Sequence, residues 1–188
     1  TGTSNLIMAS VLGEGKTILK NVSIEPEVLD VIKFLKSGGA QINFIGRRTI
    51  KIFGVKKLNG CSHEVIGDRI EAFSYLCTAA ITRGKIKINK INPKNLRTEL
   101  NILKKIGCGL NIKETSIEID AKKKLKAIKI KTSPFPGFAT DNMPPLMAVL
   151  TKVKGTSEIQ ENIFSQRFQC APELNKMGAS ITIRSNKQ

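Results

Sequence analysis

Apolar residues recur along the chain at two alternating spacings. Val28, Val31, Ile32 and Leu35, and again Leu96, Leu100 and Leu103, stand three or four apart, the spacing that lines one face of a helix. Between such stretches the pairs Ile50/Ile52, Ile86/Ile88, Ile117/Ile119 and Ile128/Ile130 alternate with polar residues, as strands with one buried face require. The resulting order is helix, strand, helix, strand, strand. Residues 70–81 differ from both patterns. Ile70, Ala72, Phe73, Leu76, Cys77, Ala79, Ala80 and Ile81 cover most of a helical circumference, which predicts a helix buried on nearly every side. Such a helix favours an α/β architecture with sheets outside and helices within.

The pattern repeats. Gly13-Glu14-Gly15-Lys16-Thr17-Ile18 resembles Thr82-Arg83-Gly84-Lys85-Ile86 and Lys154-Gly155-Thr156-Ser157-Glu158-Ile159, each reading as a helix-ending glycine followed by a strand. About twenty residues further on each copy carries a second marker: Leu35-Lys36-Ser37-Gly38-Gly39-Ala40, Leu103-Lys104-Lys105-Ile106-Gly107-Cys108, and Leu174-Asn175-Lys176-Met177-Gly178-Ala179. The marker glycines Gly39, Gly107 and Gly178 are 68 and 71 residues apart, so the unit is about seventy residues long. That is too long for the usual solenoid repeats and too rich in strands for a helical array. Several units must pack around a shared core.

Composition places the chain among globular proteins. Of its 188 residues 40% are hydrophobic and 24% charged, which excludes extended disorder and corresponds to one domain or one and a part. No apolar run approaches the roughly 18 residues of a membrane span, and no stretch resembles a secretory leader, so a cytoplasmic protein without a membrane partner is expected. The chain opens mid-pattern on Thr1, as a piece of a longer protein would. Its 31 basic against 15 acidic residues give a net charge of +16, which raises the question of nucleic acid. The lysines are scattered, as in Lys85, Lys87, Lys90 and Lys94. Aromatic residues are 5%, with no Trp and only Tyr75, so stacking platforms are missing and no nucleic-acid partner is expected. The dense run Lys122-Lys123-Lys124 with Lys126 reads as a solvated turn. Cys61, Cys77, Cys108 and Cys170 form no C-x-x-C pair and share the chain with one histidine, so no metal site is expected. Cys61-Ser62-His63 reads as a polar loop, and Cys77 and Cys108 as buried thiols.

Three places combine a helix start with polar chemistry. Thr1-Gly2-Thr3-Ser4 opens a helix with Thr3 or Ser4 as N-cap, where free N–H groups favour an anion. Glu25 and Glu27 flank Pro26 at a strand-to-helix turn, where acidic residues suit the first turn. Thr140-Asp141 begins another helix, with Asp141 placed to cap it.

Seven ordered blocks then carry a resemblance over the whole chain: residues 1–8 (TGTSNLIM), 25–30 (EPEVLD), 67–71 (GDRIE), 80–84 (AITRG), 136–141 (PGFATD), 163–168 (IFSQRF) and 172–179 (PELNKMGA). In these blocks the chain resembles the UDP-N-acetylglucosamine enolpyruvyl transferase family of EPSP synthase-like enzymes. The resemblance implies a pair of inside-out α/β barrels, each built from three copies of the repeat. Residues 1–66 would be the last part of the first barrel and residues 67–188 the first part of the second, with the crossover near residues 65–70. The implied reaction adds the enolpyruvyl group of phosphoenolpyruvate to the 3′-hydroxyl of UDP-N-acetylglucosamine and releases phosphate, without a cofactor. The rest of a two-barrel chain is then an implied partner.

Residue by residue, the resemblance makes Asp141 the general base on the 3′-hydroxyl. It puts Thr1, Gly2, Glu25, Glu27, Asp68, Arg69, Thr140, Ile163 and Arg167 around the substrates, Ile163 through its backbone. For Asp68 and Arg69 a hinge role is the alternative, and for Arg167 a surface salt bridge. The family's reactive cysteine lies in a loop reading Gly-Cys-x-Ile-Gly-x-Arg-Pro, which Cys61 and Cys108 do not reproduce. Gly67 replaces a usual Pro, implying a looser hinge, and Pro144-Pro145 shift the start of the helix after Asp141. Competing readings are 5-enolpyruvylshikimate-3-phosphate synthase and a non-catalytic relic or basic RNA-binding module.

Overall fold

Two stretches of the chain follow the same order of elements. The first contains α1 (Gly2–Val11), β1 (Lys16–Lys20), α2 (Pro26–Ser37), β2 (Gln41–Gly46) and β3 (Thr49–Phe53). The second contains α3 (Arg69–Thr82), β4 (Lys85–Asn89), α4 (Arg97–Ile106), β5 (Gly109–Ile112) and β6 (Ser116–Asp120). The computed structural model describes residues 2–164 and 166–184, and the chain divides into two units, Thr1–Ile66 and Gly67–Gln188.

In the first unit β3 lies between β1 and β2 and is antiparallel to both. Alternation does the work predicted for it. Ile50 and Ile52 of β3 and Ile42 of β2 point into a core completed by Ile7 and Val11 of α1 and Val28, Ile32 and Leu35 of α2. Lys16, Lys20, Gln41 and Asn43 stand on the opposite, exposed face. Helix α2 begins at Pro26, whose fixed φ suits the first helical position.

The second unit repeats this sheet order as β4-β6-β5. Ile117 and Ile119 of β6 are buried against Phe73 and Leu76 of α3 and Leu103 and Ile106 of α4. The chain continues through β7 (Lys129–Lys131), a 3-10 turn Thr140–Asn142, α5 (Met143–Leu150), β8 (Glu158–Gln160), a second such turn Arg167–Gln169, and α6 (Cys170–Lys176). Strands β7 and β8 pair in parallel, with α5 in the crossover. Helix α5 packs on α3, and Phe138 meets the edge of Phe73 at 6.0 Å between ring centres.

Several sequence expectations are corrected. Helix α1 already starts at Gly2, so Thr3 and Ser4 lie inside its first turn instead of capping it. The Thr3 hydroxyl oxygen instead accepts from the Ser23 N–H at 3.0 Å. Helix α3 keeps an exposed stripe of Glu71, Tyr75, Thr78 and Thr82, so it is not enclosed on every side within its own unit. At its end the left-handed residue is Arg83, φ 55°, and not Gly84. The alternation around Ile128 and Ile130 yields only a three-residue strand, and no strand follows Gly178 among the described residues. The three marker glycines behave as a set: Gly39, Gly107 and Gly178 have φ of 100°, 109° and 90°, values that side-chain-bearing residues rarely adopt. At Gly67 a Cβ would fall 2.4 Å from the Lys90 carbonyl oxygen, so this backbone admits only glycine there.

Among the described residues no helix is long and apolar enough to cross a membrane, and no group of three His, Cys, Asp or Glu is arranged to hold a metal ion.

Candidate functional site

Four of the ten expected site residues meet in the second unit, around the 3-10 turn Thr140–Asn142 and the loop that follows β8. Asp141 and Arg167 form an ion pair, with Arg167 Nη2 2.7 Å from Asp141 Oδ1. The Arg167 Nε–H donates to the Thr140 hydroxyl oxygen at 3.2 Å. Its guanidinium also lies over the Phe164 ring, 5.2 Å from the ring centre. The Asp141 side chain is 57% exposed and that of Arg167 30%, so the pair contributes at most about 1 kcal/mol to stability. Its significance is the fixed direction of two charged groups at the surface. Asp141 does not act as a cap: the residue at the N-cap of this turn is Ala139 and that of α5 is Asn142, and neither makes a side-chain cap hydrogen bond. Pro144 and Pro145 stand in the first turn of α5, and the chain before them tightens to 3-10 geometry.

The turn is gripped from two sides. From the interior, Glu99 of α4, only 2% exposed, accepts from the Ala139 N–H at 3.3 Å and from the Asn142 side-chain amide at 3.1 Å. Asn142 is fully buried, and its Oδ1 has no hydrogen-bond partner among the described residues. From the other side, Glu161 accepts from the Thr140 hydroxyl at 2.9 Å and from the N–H groups of Ile163 and Phe164 at 2.7 and 3.0 Å. Ile163 is thus oriented through its backbone. Burial raises the Glu161 carboxyl, but hydrogen bonds from the Phe164 N–H, Thr132, the Ile163 N–H and Thr140 outweigh it and hold the group below its ordinary value of 4.5.

An open cleft of about 450 Å³ adjoins this cluster, lined by Pro144, Phe164, Gln166, Arg167, Gln169 and Cys170. It offers one cation, one aromatic face and two amides to a ligand, a set suited to an anion carrying a polar, ring-containing group.

The other expected residues stand elsewhere. Asp68 caps α3: its Oδ1 accepts from the N–H groups of Ile70 and Glu71 at 2.7 and 3.0 Å. Arg69 is buried, with its guanidinium 5.5 Å from the centre of the Phe135 ring. In the first unit the start of α1 and the turn before α2 are tied together. Thr3 accepts from the Ser23 N–H, and the Ser23 hydroxyl donates to Glu25. Gly2 and Glu25 thereby share one corner, Glu27 is exposed on the first turn of α2, and Thr1 lies outside the described residues. Glu99, Glu161 and Asn142 were absent from the expected site. Their one sequence signal was Glu161 preceding Ile163 and Phe164 by two and three residues, an acceptor two and three positions before free N–H groups.

The chain matches, over residues 1–187, the protein family described as EPSP synthase (3-phosphoshikimate 1-carboxyvinyltransferase). Among curated proteins, the UDP-N-acetylglucosamine 1-carboxyvinyltransferase of Pelagibacter ubique (strain HTCC1062) is 47% identical over 185 residues, which are 98% of this chain and 44% of that protein. The corresponding protein of Helicobacter pylori (strain ATCC 700392 / 26695) is 44% identical over 188 residues, 99% of this chain and 44% of that protein. The chain therefore spans less than half the length of these relatives. Among solved structures, the enolpyruvyl transferase NikO from Streptomyces tendae superposes with a TM-score of 0.81 at 23% identity, over 92% of this chain and 42% of that one. EPSP synthase from Acinetobacter baumannii superposes with a TM-score of 0.65 at 21% identity, over 91% of this chain and 41% of that one.

Proposed function

Because the chain belongs to the EPSP synthase family, with the mixed α/β fold of the enolpyruvyl transferases, we propose that it is part of a cytoplasmic UDP-N-acetylglucosamine 1-carboxyvinyltransferase. Residues 1–66 are the end of one inside-out barrel and residues 67–188 the start of the other. Two observations support the barrels: the division of the chain at this point, and the shared sheet order of β1-β3-β2 and β4-β6-β5. The exposed Leu6 and Met8 of α1 and Leu12 just after it are accounted for by further repeats of the same barrel, the remaining partner of this segment. The observation that carries the functional reading is the joining of Thr140, Asp141, Ile163 and Arg167 in one hydrogen-bonded cluster, beside a cleft that Arg167 lines.

The reaction joins the 3′-oxygen of UDP-N-acetylglucosamine to the enolpyruvyl carbon of phosphoenolpyruvate and releases phosphate, which opens peptidoglycan synthesis. The hydroxyl must lose a proton and the phosphate must be held as it leaves. Asp141 takes the proton. With Arg167 on Oδ1, acceptance falls to Oδ2. Arg167 supplies positive charge beside the reacting groups, Thr140 fixes the guanidinium, and the Ile163 backbone meets the sugar. Thr1 and Gly2 bind the nucleotide diphosphate; at Gly2, where α1 begins, N–H groups without a helical partner favour an anion. Glu25 and Glu27 are the substrate-binding carboxylates of the first unit. Asp68 acts by setting the start of α3, and this fixes Arg69.

The test is phosphate release by a protein that contains this segment within a complete two-barrel chain. Asp141→Asn should lower kcat about 10²- to 10⁴-fold, the range of a positioned general base. The acceptor decides between the two enolpyruvyl readings: release driven by shikimate 3-phosphate in place of UDP-N-acetylglucosamine would overturn this assignment.

A further inference from the structure

Glu161 has no part in the roles assigned above, yet it is the junction of three segments. Its Oε1 accepts from the Thr132 hydroxyl at 2.8 Å and from the N–H groups of Ile163 and Phe164. Its Oε2 accepts from the Thr140 hydroxyl at 2.9 Å. Thr132 follows β7 and is completely buried. It binds back to the next residue of the loop, accepting from the Asn162 N–H at 2.9 Å on its hydroxyl and from the Asn162 side chain at 3.1 Å on its carbonyl. The base of the junction is therefore anchored in the β7–β8 pair. The Thr140 turn and the 163–164 loop are attached to it.

The direction of each hydrogen bond is dictated by chemistry. A carboxylate only accepts, so the single Thr140 hydroxyl proton points at Glu161, and the Thr140 oxygen presents its lone pairs elsewhere. One of them receives the Arg167 Nε–H at 3.2 Å. With Nε fixed, the planar guanidinium has one remaining freedom, and its Nη2 then falls 2.7 Å from Asp141 Oδ1. The sequence of contacts runs from Glu161 through Thr140 and Arg167 to Asp141. An amide of the same shape at position 161 keeps its oxygen on the two backbone N–H groups, which can only donate, and turns its NH2 to the Thr140 hydroxyl, which must then accept in place of donating.

We propose that Glu161 is a positioning residue that sets the Thr140 hydroxyl and, through it, the direction of Arg167 against Asp141. Its catalytic consequence rests on the transferase reading; its structural content does not.

Two variants of the 188-residue chain test it by nuclear magnetic resonance. In Glu161→Gln, solvent exchange of the Arg167 Nε–H should quicken about tenfold or more, the loss of a fixed acceptor. The amides of Ile163 and Phe164 keep the remaining carbonyl oxygen as acceptor and should stay protected, as should the amides of β6, which show that the unit is folded. In Thr140→Val the Arg167 Nε–H should be released in the same way with Ile163 and Phe164 still protected. Positioning through Thr140 is overturned if the Arg167 signal is unmoved in either variant while β6 stays protected. In the complete two-barrel protein, Glu161→Gln should lower kcat about tenfold or more with KM for UDP-N-acetylglucosamine little changed, because misdirected reacting groups cost rate ahead of affinity. Resonance changes as expected, with a wild-type protein that releases no phosphate, refute the transferase reading alone. An unmoved Arg167 signal refutes the positioning role whatever the activity.

Discussion

At Glu161 the hydrogen bonds and the titration behaviour point the same way, and this makes the residue readable by pH. Its carboxyl is held below the ordinary glutamate value of 4.5 in the folded chain. A group shifted downward contributes stability above its unfolded value and loses it as pH falls through the folded one. The order of the loop at residues 161–167 should thus be complete at neutral pH and fade below about pH 4.5. Asp141 and Arg167 share the network, so the contribution of Glu161 is isolated by difference: in Glu161→Ala, which removes both acceptor oxygens, the amide protection of Ile163 and Phe164 should be low throughout and lose its acid dependence. A second residue-scale expectation concerns the thiols. Burial pushes the Cys77 thiol far up, with Cys108 adding to the effect, and burial pushes Cys108 up to about 11. Cys61 is exposed. Iodoacetamide at pH 8 should therefore modify Cys61 first, Cys170 more slowly, and Cys77 and Cys108 only after denaturation, as peptide mass spectrometry would read. The two buried thiols were legible from their apolar neighbours in sequence. Asp141 and Arg167, 26 residues apart, were legible through the resemblance of whole blocks and not through spacing. Glu161 was not, because its role depends on a sheet pairing that brings Thr132 beside Asn162.

Elements were most legible where one residue type is the sole solution to a backbone problem. The glycine after α4 is such a case. Gly107 has φ 109°, and a Cβ would also lie 3.3 Å from the Lys124 carbonyl oxygen. Gly107→Ala should cost about 1–3 kcal/mol, the range for a side chain forced into a sparsely allowed backbone region. Gly60→Ala, where nothing lies within 4 Å and φ is not left-handed, should stay within about 0.5 kcal/mol. Urea denaturation of the two variants makes the comparison. Equal stabilities would show that the glycine marker reflects something other than backbone geometry. The same reasoning explains the failures. Thr3 and Ser4 are good caps by type, yet α1 starts earlier and Thr3 is taken by the Ser23 N–H. Asp141 is a good cap by type, yet Arg167 holds it. Threonine and aspartate have several satisfactory partners, and only the tertiary fold selects one. Alternation gave the core faces of β3 and β6 but overstated β7, whose three residues are fixed by pairing with β8.

For the molecule as a whole, the decisive quantity is how much of a transferase these residues can supply. The chain spans 44% of the relative from Pelagibacter ubique, and its units carry one cluster of polar groups around Asp141 and a separate corner at Gly2 and Glu25. The family's cysteine loop has no counterpart in it. Cys61 is followed by Ser62-His63, with His63 bonded to Asp30 at 3.1 Å. Cys77 and Cys108 are buried, and Cys170 sits in the first turn of α6 with its sulfur 3.7 Å from that of Met147. Phosphate release also needs the departing dianion to be surrounded by cations, and around Asp141 only Arg167 is in contact among the described residues. The purified 188-residue chain should accordingly give no phosphate release that depends on UDP-N-acetylglucosamine. A full-length protein containing this segment should release phosphate, and about 10²- to 10⁴-fold more slowly on Asp141→Asn. Turnover by the isolated chain, abolished by Asp141→Asn, would mean that these 188 residues carry a complete active centre, and would overturn the view that further residues of a longer protein are needed for phosphate release.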